Sequence, residues 1–171
     1  MKSIEYKSPQ ELFVLTGKVK KESLLLIKKL KKRKPKNLDD VVHELHHELF
    51  SEFDCLSCAN CCKTIGPRLT HKDIDRLAKH LKMKPSVFLE QYVTMDEDKD
   101  YVFQEHPCPF LLADNYCMVY ENRPKACREY PHTDRKKFIQ ILSLSHKNCE
   151  TCPVVYEVFN QLHQLPEDEL K

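Results

Sequence analysis

The stretch Cys55-Leu-Ser-Cys-Ala-Asn-Cys-Cys62 places four thiols within eight residues, and five more follow at Cys108, Cys117, Cys127, Cys149 and Cys152. Thiolates are soft ligands that suit zinc and iron, and a CxxC step bends the backbone so that two sulfurs reach one cation at about 2.3 Å. A second such step is Cys149-Glu-Thr-Cys152. In structural sites of this kind a distant segment completes the ligand set, so Cys55, Cys58, Cys61, Cys62, Cys108, Cys117, Cys127, Cys149 and Cys152 are all candidate metal ligands.

Both metals are open on spacing. Cys55-x-x-Cys58-x-x-Cys61 has the spacing of a bacterial ferredoxin run, and Cys108-Pro109 and Cys152-Pro153 supply the Cys-Pro step on which such runs end. All-thiolate zinc sites tolerate the long spacers seen here, whereas a ferredoxin keeps its fourth cysteine close. Adjacent Cys61 and Cys62 diverge by about 100 degrees on a helix, which points them at different centres or leaves one merely buried. Nine thiols would serve two four-ligand sites with one over, or one site with several packed as small apolar residues.

The compartment bears on this reading. The N-terminus, MKSIEYKSPQELF, has no apolar run of signal-peptide length, and nowhere do about 18 apolar residues follow one another as a membrane span requires. The expectation is a soluble, cytoplasmic protein. In a reducing compartment disulfides are rare, and an odd number of cysteines cannot pair fully within one chain.

The elements that must position the thiols read as mainly α. There are two glycines against ten prolines, and 32% of residues are charged, which suits helices punctuated by proline rather than a β-sandwich. Ser8-Pro9-Gln10-Glu11 is a capping box with Pro at the first helical position, opening a helical stretch to about Arg33 that weakens at Gly17. Asn37 is placed to cap a helix with Leu38, Val41, Val42, Leu45 and Leu49 on one face. The cysteine loop comes next. Thr70-x-x-Asp73 caps a third helix and Pro85 opens a fourth. Segments YVFQ, PFLL and YCMVY between Tyr101 and Tyr120 read as short strands of a small hairpin, and Arg123-Pro124 starts a helical turn through Cys127. KFIQILSL is ambiguous between strand and helix, and Val154, Val155, Val158, Phe159 and Leu162 mark a closing amphipathic helix. The expected organisation is a basic helical segment over 1–36, a cysteine-cluster domain over 37–165 and an acidic tail over 166–171.

Other signals compete. His43-Glu44-Leu45-His46-His47 matches the HExxH of zinc hydrolases, yet it also reads as the polar face of a helix. Residues 18–36 carry ten Lys or Arg and one acid, a charge of +9 against +2 for the whole chain. Such a helix could meet nucleic-acid phosphates or an anionic surface, with LLLI at 24–27 as its apolar side, or be a solvated exterior. Arg123 and Arg128 bracket Cys127 and are candidates to offset thiolate charge.

Three motifs in order, CLSCANCC, HPCPFL and CMVYENRPKACREYP, resemble the CxxCxxCC cysteine-cluster family, also called YkgJ-type and described as zinc- or iron-chelating, over about residues 55–131. The resemblance implies metal-linked roles for Cys55, Cys58, Cys61, Cys62, Cys108, Cys117 and Cys127; members commonly carry Gly where this chain has Ala59. Cys149 and Cys152 rest on spacing alone. A weaker similarity to flagellin lysine-N-methylases implies an iron-sulfur centre and methyl transfer, an activity not carried over here. The expectation is a metal-binding protein holding zinc or iron, as an ion or an iron-sulfur cluster, in a structural or redox role. The alternatives are an enzyme using that centre, or an adaptor acting through the lysine helix.

Overall fold

The computed structural model describes residues 5–166 and 168–171. It is mainly α, as composition and periodicity imply, with one two-stranded antiparallel hairpin among the described residues. The chain divides into two compact units, one from residues 1–54 with 131–171 and the other from 55–130.

The first unit is built on helices. The Ser8 capping box forms as expected, with the Ser8 side chain accepting from the Glu11 amide and Glu11 reaching back to the Ser8 amide, and it opens α1 (Pro9–Lys18). The expected single helix to Arg33 is instead two, because the chain breaks at Val19 before α2 (Lys20–Arg33). Then comes α3 (Leu38–Glu52), followed later in the chain by α9 (Leu142–Asn148) and α10 (Pro153–Gln164). Helix α10 packs against α1, α2, α3 and α9, and contributes Val154, Val155, Val158, Phe159 and Leu162 to the core.

After Lys137, which is left-handed, the ambiguous KFIQILSL segment is helical, a 3-10 turn over Phe138–Ile141 running into α9. Its start is pinned by Asp39, whose carboxylate accepts from the Lys137 and Phe138 amides. Asn37 does not cap α3 with its side chain. It binds the chain's end instead, donating to the Glu169 carbonyl and accepting from the Lys171 amide, each at 2.7 Å. On α2, Ser23, Ile27 and Leu30 face inward while Leu24 and Leu25 remain exposed among the lysines.

The second unit begins with the cysteine run, which is helical rather than a loop: α4 (Cys55–Cys58) and α5 (Asn60–Thr64) are separated at Ala59. Next are α6 (His71–His80) and α7 (Pro85–Tyr92), which start as the Thr70 box and Pro85 imply. The hairpin lies earlier than expected, with β1 (Val93–Met95) on β2 (Tyr101–Phe103) and Val93 opposite Phe103. Asp96 decides this, because its side chain accepts from the Asp98 and Asp100 amides and folds the turn between the strands. The PFLL and YCMVY segments contribute only the isolated bridge Leu111 to Cys117. Helix α8 (Lys125–Glu129) follows the Arg-Pro step. A core of Leu69, Ile74, Leu77, Ala78, Phe88, Val93, Phe103, Phe110 and Val119 closes the unit, with Phe110 stacked 6.3 Å from Phe88 and edge-on to Phe103 at 5.4 Å.

Candidate metal centre

Four separate segments of the second unit bring cysteines together. In α5, Cys61 and Cys62 place their sulfurs 3.9 Å apart. Two sulfurs on one tetrahedral ion with bonds of about 2.3 Å stand about 3.8 Å apart, so this adjacent pair suits a shared centre as well as the two centres that helical divergence alone suggests. The main chain then ties the next cysteine in, since the Cys108 amide donates to the Cys62 carbonyl at 2.8 Å. Leu111 pairs with Cys117 across the bridge, which holds Cys108 and Cys117 on one small loop, and α8 supplies Cys127.

Thiol acidity records this gathering. A hydrogen bond from the Cys61 thiol holds Cys62 down to about 7, against its burial and helped by Lys63. Burial pushes Cys127 up to about 12, and the charges of Cys62, Cys108 and Cys117 add to the rise. Cys108 is pushed to about 11, first by burial and then by Cys62 and Cys117. Burial raises Cys117 as well, with Cys62 adding to it and Arg123 opposing. Cys62 is thus the thiol most favoured to ionise, while burial first, and the Cys62 charge after it, disfavours ionisation of the three neighbours. Further thiolates need a cation, which reverses the acidity of coordinating thiols. A soft divalent metal is the natural match for that donor set.

Among the described residues, no three His, Cys, Asp or Glu side chains converge on a single metal-sized point. Cys55 is exposed at the start of α4 and Cys58 is buried at its end, where Lys63 donates to the Cys58 carbonyl. No cysteine among the described residues is in a disulfide. The break between α4 and α5 falls on Ala59, whose φ of 52° is left-handed and whose side chain is buried. That conformation favours glycine, the residue common at this position in the family resembled above.

The arrangement of α8 rests on Asp73, a role that its place in the capping box does not disclose. Asp73 is 1% exposed. Its carboxylate accepts from the Thr70 hydroxyl and amide, from Arg76, and from the Lys125 amide at the start of α8. Burial would raise its pKa, but these donors hold it down at about 2. One carboxylate therefore caps α6 and also receives the first amide of the helix that carries Cys127. Arg76 completes the joint by donating to the Asn122 and Arg123 carbonyls. Arg123 lies over the Tyr120 ring at 3.8 Å and offsets charge at Cys117 and Cys127, as its bracketing position implies. Arg128 instead donates to the Arg123 carbonyl at 3.1 Å.

Cys149 and Cys152 belong to the first unit. Both are buried, and the Cys149 thiol donates to the Ser145 and Val155 carbonyls at 3.5 and 3.7 Å. The HELHH histidines lie on α3 of the same unit. His43 donates to the Arg135 carbonyl at 3.2 Å, and half-buried His46 shares a hydrogen bond with the Thr133 hydroxyl at 2.7 Å. Two of the three imidazoles are thus bound to their own unit.

No helix among the described residues is long and apolar enough to cross a membrane. Comparison with curated proteins found no match, and comparison with solved structures found none. A family model described as "CxxCxxCC: Putative zinc- or iron-chelating domain" matches residues 54–153, reaching beyond the three motifs to include Cys149 and Cys152. With more than half its length matched, the chain belongs to the CxxCxxCC family.

Proposed function

We propose that residues 55–130 form a thiolate metal centre, binding zinc or an iron-sulfur cluster, in which Cys62, Cys108, Cys117 and Cys127 are the principal ligands. Cys61 stands at ligand spacing from Cys62, and Cys55 and Cys58 supply further thiols on the adjoining turn. The observation that carries this reading is the 3.9 Å spacing of the Cys61 and Cys62 sulfurs together with the Cys108 amide held on the Cys62 carbonyl, and the electrostatic influence of Cys62 on Cys108, Cys117 and Cys127 adds to it. Burying several sulfurs that cannot ionise together is unfavourable for an enclosed dithiolate, and a cation removes the conflict. The family's description as zinc- or iron-chelating supports the same chemistry.

The role is structural or redox within the cytoplasm. A bound metal would tie four chain segments to one point, and zinc binding of this type supplies about 10 kcal/mol or more to folding. Cys149 and Cys152 serve in this reading as packed thiols of the first unit, since both are buried and burial makes the Cys149 thiol far less acidic than usual.

The test is anaerobic purification followed by metal analysis, acid-labile sulfide and the visible spectrum. Stoichiometric zinc without colour selects a zinc site. Brown colour with iron and sulfide selects a cluster. Absence of both metals overturns the proposal.

A further inference from the structure

The first unit contains a cavity of about 250 Å3 between α1, α2, α9 and α10, built from residues other than the cysteine run. Its floor is buried and its mouth is not: Thr16, Ser23, His146 and Phe159 lie deep, while Glu22 and His163 stand exposed at the edge. Two polar atoms of the floor, Thr16 Oγ1 and His146 Nε2, have no hydrogen-bond partner, although Thr16 is 2% and His146 9% exposed. Ser23 and His163, by contrast, satisfy each other at 3.1 Å.

Leaving a buried polar atom unpaired is unfavourable, so two among the lining residues of one cavity call for an occupant that meets them. The rest of the lining decides its character. No carboxylate, Lys or Arg is buried among the lining residues, so nothing in the depth would neutralise an ion. Burial also lowers the basicity of both His146 and His163, which disfavours a charged imidazole in the cavity. Val19, Cys149, Tyr156 and the Phe159 ring make the rest of the wall mainly apolar and partly aromatic, with Asn160 adding a carboxamide. In size, about 150 Å3 is enough to hold benzene in an engineered protein cavity, so this space takes a ring with a substituent.

We propose that this cavity binds a neutral, ring-sized organic molecule whose one hydroxyl or N–H group is received by Thr16 and His146. The proposal is independent of the metal centre. Water is the competing occupant, since ordered molecules could satisfy the same two atoms.

The probes are p-cresol and p-xylene, which differ by a hydroxyl in place of a methyl, titrated into the full-length protein and followed by amide chemical shifts. We expect p-cresol to shift amides of α1 and α9 saturably and to bind about tenfold more tightly than p-xylene, the worth of one buried hydrogen bond. Thr16→Val should remove that preference while leaving p-xylene binding intact, and Thr16→Ser, which keeps the hydroxyl, should retain it. Metal content measured on the same samples should not change. The proposal is overturned if neither probe binds, if p-cresol shows no advantage over p-xylene, or if Thr16→Val leaves the advantage in place.

Discussion

In the unit built on α10, Cys149 and Cys152 are buried and share the unit with a broad set of buried apolar residues that includes Leu12, Leu30, Val42, Phe138, Leu142 and Val158. In the unit of residues 55–130, Cys61, Cys62, Cys108, Cys117 and Cys127 are half-buried and electrostatically coupled, beside a core of nine residues centred on Phe110. Both regions carry a CxxC step. One uses sulfur as a small apolar group with a weak donor, and the other sets several sulfurs against one another. A unit of under about 80 residues rarely draws more than about 3–5 kcal/mol from its core, so a metal bound as proposed would contribute far more to folding in the second region than the packed thiols do in the first.

Substitutions can break or sharpen that contrast. The largest effect is expected from Cys127→Ser, which should abolish metal binding and forfeit about 10 kcal/mol of coupled folding energy when the ion is zinc. Hydrogen exchange is the measurement: protection should collapse across residues 55–130 while the amides of α10 stay protected. Uniform loss, or none, would erase the proposed division of labour.

Asp73→Asn comes next, at about 2 kcal/mol, because it removes a buried carboxylate that receives charged and backbone donors from two helices. The wild-type residue predicts a pH signature. Its folded pKa of about 2 lies below the ordinary value of 3.8, so the stabilisation is complete above about pH 4 and is lost as pH falls towards about 2. Denaturant midpoints measured between those limits should fall in the wild type and change less in Asp73→Asn.

Cys149→Ala is expected to cost only about 1 kcal/mol, the loss of a small buried side chain, and to leave metal stoichiometry unchanged. Metal loss in this variant would return the second CxxC to the ligand set. The smallest effect is a gain: Ala59→Gly should stabilise the cysteine run by about 0.5 kcal/mol, since glycine relieves a left-handed residue at some entropic cost. Thermal denaturation would register it as a rise in midpoint, and a fall would show that the Ala59 methyl matters more for packing than its backbone costs.

How much was legible in the sequence follows the range of each interaction. The boxes at Ser8 and Thr70 close within three residues, so they could be placed from residue types alone, as could the starts at Pro9 and Pro85. The apolar stripe of α10 was equally plain, because a 3.6-residue repeat needs no partner to be recognised. The strand pairing was misplaced because YVFQ and YCMVY have strand-like composition, while the partner was fixed by the Asp96 turn. Asn37 has the chemistry of a cap, yet the chain's end competes successfully for its side chain.

By itself, then, the sequence determined that this is a helical protein with an excess of metal-suited thiols, because helix periodicity, local caps and ligand type are properties of neighbouring residues. Only the tertiary structure decided which thiols feel one another and that Asp73 serves the helix carrying Cys127. It also decided that Thr16 and His146 share a cavity floor. Those facts depend on residues tens of positions apart, whose proximity is set by packing and long-range hydrogen bonds rather than by spacing along the chain.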